Sequence, residues 1–156
     1  MKTAPRSIPE GRGLRVAVLR TQFNERVVDG LRAGAEAALL EMGVRAGDIT
    51  VVDVPGAFEL PLAARAAAES GRFDAIVALG AVIRGETDHY EYICREAASG
   101  LAVVARETRV PVGFGVLTVH DEAQAKTRAA AGPDNKGAEA ARAAVAMVAV
   151  LRKLKG

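Results

Sequence analysis

The run "DAIVALGAVI" (74–83) constrains this chain more than any other stretch. It is apolar at successive positions, so a strand built from it must be covered on both faces. An antiparallel strand with one wet face would alternate instead. The run therefore predicts the centre of a parallel sheet with helices above and below it. Its neighbours agree. "LRVAVL" (14–19), "DITVVDV" (48–54) and "VPVGFGVLT" (110–118) read as three more strands, each separated from the next by a helical pattern.

In the first helical pattern, Val28, Leu31, Ala35, Leu39 and Met42 recur at three- and four-residue steps, and Gly43 is the stop signal. "FELPLAARAAAESG" is the second, ended by Gly71. A third runs from Asp88 to Thr108. Asp121 caps a short helix through Ala130, and a last helix runs from Asn135 to Leu154. The expected fold is a three-layer α/β/α sandwich around a four-stranded, flavodoxin-like parallel sheet. No repeat or linker divides the chain, and at 156 residues one domain buries about 68–70% of its unfolded surface. Residues 1–13, with two prolines, read as an N-terminal arm able to add a strand, and residues 14–156 as the single domain.

Composition removes several classes. The net charge is +2 and the basic residues are scattered except in the terminal "LRKLKG", which argues against nucleic acid. One cysteine, Cys94, allows no internal disulfide and reads as a small apolar residue of the third helix. No apolar stretch approaches the roughly 20 residues of a membrane span, and the N-terminus lacks a secretory h-region. A cytoplasmic protein is expected. There is no G-x-x-x-x-G-K-[ST], G-x-S-x-G or C-x-x-C, and with two histidines no suitable metal-ligand pair exists. The expectation is chemistry without metal or redox cofactor.

Ligands of open parallel sheets bind beyond the carboxyl ends of the strands. Four exits carry distinctive residues: "RTQFNE" (20–25), "PGAFELP" (55–61), "GAVIRGETDH" (80–89) and "GFGVLTVHDE" (113–122). At the third exit, Asp88 and Glu91 fit a D-x-x-E capping box. Equally, Gly85 lets backbone amides approach a ligand, and a helix start beside Thr87 suits phosphate. His89 is either structural or a proton-transfer group near neutral pH. His120 reads as an exposed loop residue. Phe23 and Phe58, with Phe114, are three of only four phenylalanines in a chain without tryptophan, and they could wall a pocket for a planar ring. Phe58 is equally a core residue at a helix start. Glu59 suits a polyol or the positive helix end. Arg128 and Lys136 are either solvated charges or phosphate partners.

In chain order, "FN" after the first strand, "VPGAFELP", "LGAVIRGETDHYEYI", "PVGFGVLT" and "NKGAEAA" resemble the lumazine synthase family, from residue 14 to about 150. The resemblance implies condensation of 5-amino-6-(D-ribitylamino)uracil with 3,4-dihydroxy-2-butanone 4-phosphate. The products are 6,7-dimethyl-8-ribityllumazine, phosphate and water. It implies that Phe23 stacks on the pyrimidine and that Ala57, Phe58 and Glu59 line the ribityl pocket. Ala81, Val82 and Ile83 would present backbone groups to the pyrimidine edge. Glu86, Thr87 and Arg128 would meet the phosphate, and His89 would be the acid/base residue. Phe114 would approach from a neighbouring subunit, with Lys136 near the pyrimidine. In this reading Asp88 caps the helix and the capped end receives phosphate.

The family forms pentamers, decamers and sixty-subunit shells, with sites between subunits. A pentamer is the expected minimum. The segment "AAAGPDN" between Arg128 and Lys136 departs from the wording usual in shell formers. Three other readings stand beside the synthase: a catalytically silent shell protein, a flavin- or pyrimidine-binding module, and a lumazine-consuming enzyme like the archaeal riboflavin synthase.

Overall fold

The computed structural model describes residues 7–156. Four strands, β1 (Val16–Thr21), β2 (Ile49–Val54), β3 (Ala75–Ile83) and β4 (Val112–Val119), alternate with five helices. The helices are α1 (Glu25–Glu41), α2 (Leu60–Glu69), α3 (His89–Thr108), α4 (Glu122–Ala129) and α5 (Lys136–Lys155). The sheet is parallel throughout, in the order β2-β1-β3-β4. This is the flavodoxin-like order as far as four strands go. The stretch expected to be most buried, β3, lies between β1 and β4, and its first seven residues are buried.

Two apolar layers close the sandwich. On one face, Val16, Val18, Val77 and Leu79 pack under α1, α4 and α5 through Val28, Leu31, Leu39 and Val145. On the other, Leu19, Ile76 and Ala78 pack under α2 and α3 through Leu60, Ala64, Leu101 and Val104. Alternate residues of one strand thus serve opposite cores, as a period of two requires.

The expected strand limits shift where other hydrogen bonds intervene. Leu14 N–H donates to the Gly11 carbonyl and Arg15 N–H to the Asp74 carboxylate, so β1 starts at Val16 rather than at residue 14. β4 starts after Pro111, which has no N–H to give. The expected second helix divides into a 3₁₀ turn, Ala57–Glu59, and α2, with Pro61 in the first helical turn, where its missing donor matters least. Of the expected N-terminal arm, residues 1–6 lie outside the described residues, and 7–13 contain no strand.

Two polar features pin the α1 face. Arg20, only 8% exposed, reaches from β1 to Asp29 of α1 (2.6 Å) and Asp53 of β2 (3.7 Å). Asn135, 1% exposed, donates to the carbonyls of Gly30, Ala129 and Ala130 and accepts from Ala138 N–H at the start of α5. One amide therefore joins α1, α4 and α5. The helices meet closely there because Gly34 and Gly137 carry no side chain. A Cβ at either would run into Asn135 or into the backbone of Leu31.

Candidate active site

The strand order changes direction between β1 and β3: the chain leaves β1 for β2 on one side, then crosses to β3 on the other. That switch leaves a crevice at the carboxyl ends of the strands, where ligands of such sheets bind. A cavity of about 430 Å³ lies there, within the 300–1,000 Å³ usual for small-molecule sites. Thr21, Phe23 and Asn24 come from the exit of β1, and Gly56 to Glu59 from the exit of β2. Ala81 and Val82 of β3 supply one wall, and His89 and Ile93 of α3 close it.

The aromatic pair is unusually open. Phe23 is 69% exposed and Phe58 58% exposed, so Phe58 is not the core residue that a helix-start position allowed. Phe23 lies over Gly56, where a Cβ would stand 3.1 Å from the ring and 3.4 Å from the Glu59 carboxylate. The carboxylate and the ring edge are therefore neighbours, an apolar plate beside a hydrogen-bond acceptor. Thr21 lies deeper, its hydroxyl buried without a hydrogen-bond partner. Asn24 has a left-handed backbone (φ 58°, ψ 49°) and its side-chain amide donates to the Ala81 carbonyl at 3.0 Å.

The start of α3 differs from the expected capping box. Asp88 has helical backbone angles (φ −71°, ψ −3°) and its carboxylate caps nothing. A cap needs an extended backbone to turn the side chain back onto the first free amides. His89 N–H instead faces the Thr87 hydroxyl at a long 3.4 Å. Glu91, the other half of the supposed box, points to Arg84 at 3.9 Å. The expectation that Asp88 caps this helix is thus overturned. Glu86 and Thr87 sit in the exposed loop before α3, and His89 is exposed at the cavity edge.

Other expected site residues lie elsewhere in the chain. Ile83 ends β3 half-buried and packs towards the α1 face. Phe114, 44% exposed, is near the start of β4 in register with Ala78, well below the rim. Arg128 lies on α4 and donates to the Gln124 carbonyl (3.1 Å), and Lys136 opens α5 paired with Glu139 (2.9 Å). None of these four lines the cavity. His120 is exposed, its N–H bound to the Gln124 side chain, as expected of a loop residue. Asp121 does cap α4, accepting from Gln124 N–H at 2.8 Å.

Cys94 is half-buried, one turn after Tyr90 on α3. Burial pushes its thiol above the usual range, with a hydrogen bond to Tyr90 acting weakly the other way. Burial likewise raises the Tyr90 phenol. Neither is poised as a nucleophile, since a reactive thiol needs a lowered pKa.

Sequence reasoning did not assign Thr21, Asn24, Gly56 or Ile93. Asn24 and Gly56 carried a local signal, because asparagine is enriched in the left-handed region and a Pro-Gly pair after a strand marks a turn. Thr21 and Ile93 carried none, since both fit the strand and helix patterns they belong to.

A family model described as 6,7-dimethyl-8-ribityllumazine synthase matches residues 13–152. A relative from Edwardsiella ictaluri described as 6,7-dimethyl-8-ribityllumazine synthase is 54% identical over 142 residues, which are 90% of this chain and 91% of that relative.

Proposed function

We propose, from the premise that this chain belongs to the 6,7-dimethyl-8-ribityllumazine synthase family, that the cavity under Phe23 is where the lumazine ring is built. The chain is an enzyme of riboflavin biosynthesis, a transferase acting on small molecules. Its substrates in this reading are 5-amino-6-(D-ribitylamino)uracil and 3,4-dihydroxy-2-butanone 4-phosphate. The observation that carries the site is the meeting of Phe23, Glu59, the end of β3 and His89 around one cavity at the sheet's switch point.

The pyrimidine stacks on Phe23, whose exposed face is free to receive it. The ribityl chain runs past Ala57 and Phe58, with Glu59 accepting from its hydroxyls. The backbone of Ala81 and Val82 meets the polar edge of the ring, with Ile83, outside the cavity lining, at the end of the same strand. The butanone phosphate lies at the start of α3, by Glu86 and Thr87. The positive end of α3 favours an anion there, and no carboxylate caps it in the anion's place.

The amine of the pyrimidine then attacks the ketone to give an imine and water, phosphate leaves by elimination, and the ring closes with loss of water. Each step moves a proton between groups of moderate basicity. His89, at the cavity edge, is placed to take and return those protons, a contribution of about 10²–10⁴-fold. Holding both substrates in one orientation contributes more, on the order of 7–11 kcal/mol in ideal cases.

Arg128, Lys136 and Phe114 do not reach this cavity within one chain. All three are best used if the site forms between two copies, with these residues supplied by the neighbour. The wide exposure of Phe23 and Phe58 supports such a cover. A homo-oligomer, pentameric at least, in the cytoplasm is the setting of this reading. Among the described residues no helix is long and apolar enough to cross a membrane.

The test is to mix purified protein with both substrates and follow lumazine by absorbance. Formation of lumazine, with a raised butanone-phosphate KM in Arg128→Ala, supports the reading. Tight binding of the ribityl pyrimidine with no turnover from a folded oligomer would replace it with a binding or shell protein.

A further inference from the structure

We propose that Asn24 is a positioning residue that sets the width of the slot between the Phe23 ring and the end of β3. This rests on the reading of the cavity given above. The pairing of β1 with β3 stops at Arg20 and Leu79, two residues short of Ala81. Beyond it the β1 chain swings away towards β2, and Gln22 N–H donates to the carbonyls of Val54 (3.0 Å) and Pro55 (3.3 Å). The Ala81 carbonyl is therefore deprived of a ladder partner at the cavity wall. The Asn24 amide takes that place at 3.0 Å.

The backbone of Asn24 is bent to make this possible. A helix-capping asparagine has extended angles and turns its oxygen back onto its own helix. Asn24 precedes α1 but is left-handed and makes no side-chain cap. The left-handed form is costly for an ordinary L-residue, and asparagine tolerates it best after glycine. The side chain is thereby aimed across the crevice rather than along α1. Phe23 is the adjacent residue, so the bond joins the ring plate to the strand whose backbone edge faces it. Asparagine alone combines the left-handed backbone, the right reach and a neutral donor.

Two substitutions separate these roles. Asn24→Gly keeps the left-handed backbone and removes the amide. Asn24→Asp keeps the shape but sets a carboxylate oxygen against the Ala81 carbonyl. Both are expected to unfold within a few degrees of the parent chain. Both should raise KM for the ribityl pyrimidine about five- to tenfold, with KM for the butanone phosphate within about twofold, as loss of one aligned hydrogen bond predicts. Asn24→Ala should show the same KM change together with a clear fall in Tm, because alanine resists the left-handed backbone.

A parent-like pyrimidine KM in a folded Asn24→Gly would overturn the proposal. So would an equal rise in both KM values, which marks a general loosening of the site. If the parent chain itself makes no lumazine, the functional reading fails first. The proposal is then decided by calorimetry of the ribityl pyrimidine with the parent chain and Asn24→Gly: unchanged affinity sinks it, and a five- to tenfold loss supports it.

Discussion

Gly56 shows how much a single absent side chain can settle. Phe23 lies over it so closely that a methyl group would have to share the space with the ring and the Glu59 carboxylate. Gly56→Ala should therefore fold but tilt Phe23 outward. The expected result is a several-fold higher KM for the ribityl pyrimidine with kcat less affected, measured by steady-state kinetics. His89 belongs to the same scale. It is exposed at the cavity edge and supports no packing, so His89→Ala should keep the parent Tm. Turnover should slow by about 10²–10⁴-fold without vanishing, since orientation of the two substrates survives the change. Complete inactivity in a variant that still binds both substrates would contradict that division of labour. Phe23, Phe58, Glu59 and His89 could all be picked out from residue type and strand-exit position. Thr21 could not, because a threonine ending a strand looks like any other.

At the scale of elements, the joint between α4 and α5 depends on one buried amide. Asn135→Ala would leave three carbonyls and the Ala138 N–H without their partner. A lost cap and unsatisfied buried groups together should lower stability by about 2–3 kcal/mol, read from chemical denaturation. Asn135→Asp should be worse, although it can still cap α5, because its carboxylate would face the carbonyls of Gly30, Ala129 and Ala130. The sequence marked Asn135 as a helix start, which it is, but not as the pin between three helices. That role depends on Gly30, over a hundred residues away. α3 illustrates the reverse error. Its D-x-x-E pattern satisfies the capping rule, yet Asp88 has helical angles and caps nothing. The loop must reach from β3 to α3 while Arg84 N–H is tied to Val119, and this geometry overrides the local preference. Further along α3, the raised thiol of Cys94 and phenol of Tyr90 have a consequence for pH. Each group holds its proton in the folded chain at pH values where the unfolded chain has begun to lose it. Their contribution is complete below the ordinary thiol and phenol ranges and fades as pH rises through the raised values. Tm should accordingly fall with increasing alkalinity, and Cys94→Ser should reduce that slope. Iodoacetamide should label Cys94 slowly at neutral pH.

In the function proposed above, the whole molecule presents half a site. Phe23, Glu59 and His89 line the cavity of one chain, while Arg128, Lys136 and Phe114 stand away from it. If copies complete one another, His89→Ala and Arg128→Ala chains unfolded and refolded together should form mixed assemblies. Some of their sites would hold both parent residues, and activity should exceed that of either variant alone. Sedimentation would show the assembly in both cases. Mixed assemblies no more active than the separate variants would place both residues in the same chain's site.

The amino-acid sequence by itself determined the order of strands and helices, the burial of β3 and the rim on which the cavity lies. Those follow from local periodicity and from the rule that a parallel sheet opens a crevice where its strand order switches. It also determined the family, since several specific motifs occur in a single order. Tertiary structure alone decided which residues share the cavity, that the Asp88 carboxylate does not cap α3, and that Asn24 and Asn135 reach across to other elements. The physical reason is common to all three. Periodicity records which face of an element is apolar, but a hydrogen bond between distant segments depends on backbone direction and approach. Those are set only when Phe23 comes to lie over Gly56 and Asn24 reaches the carbonyl of Ala81.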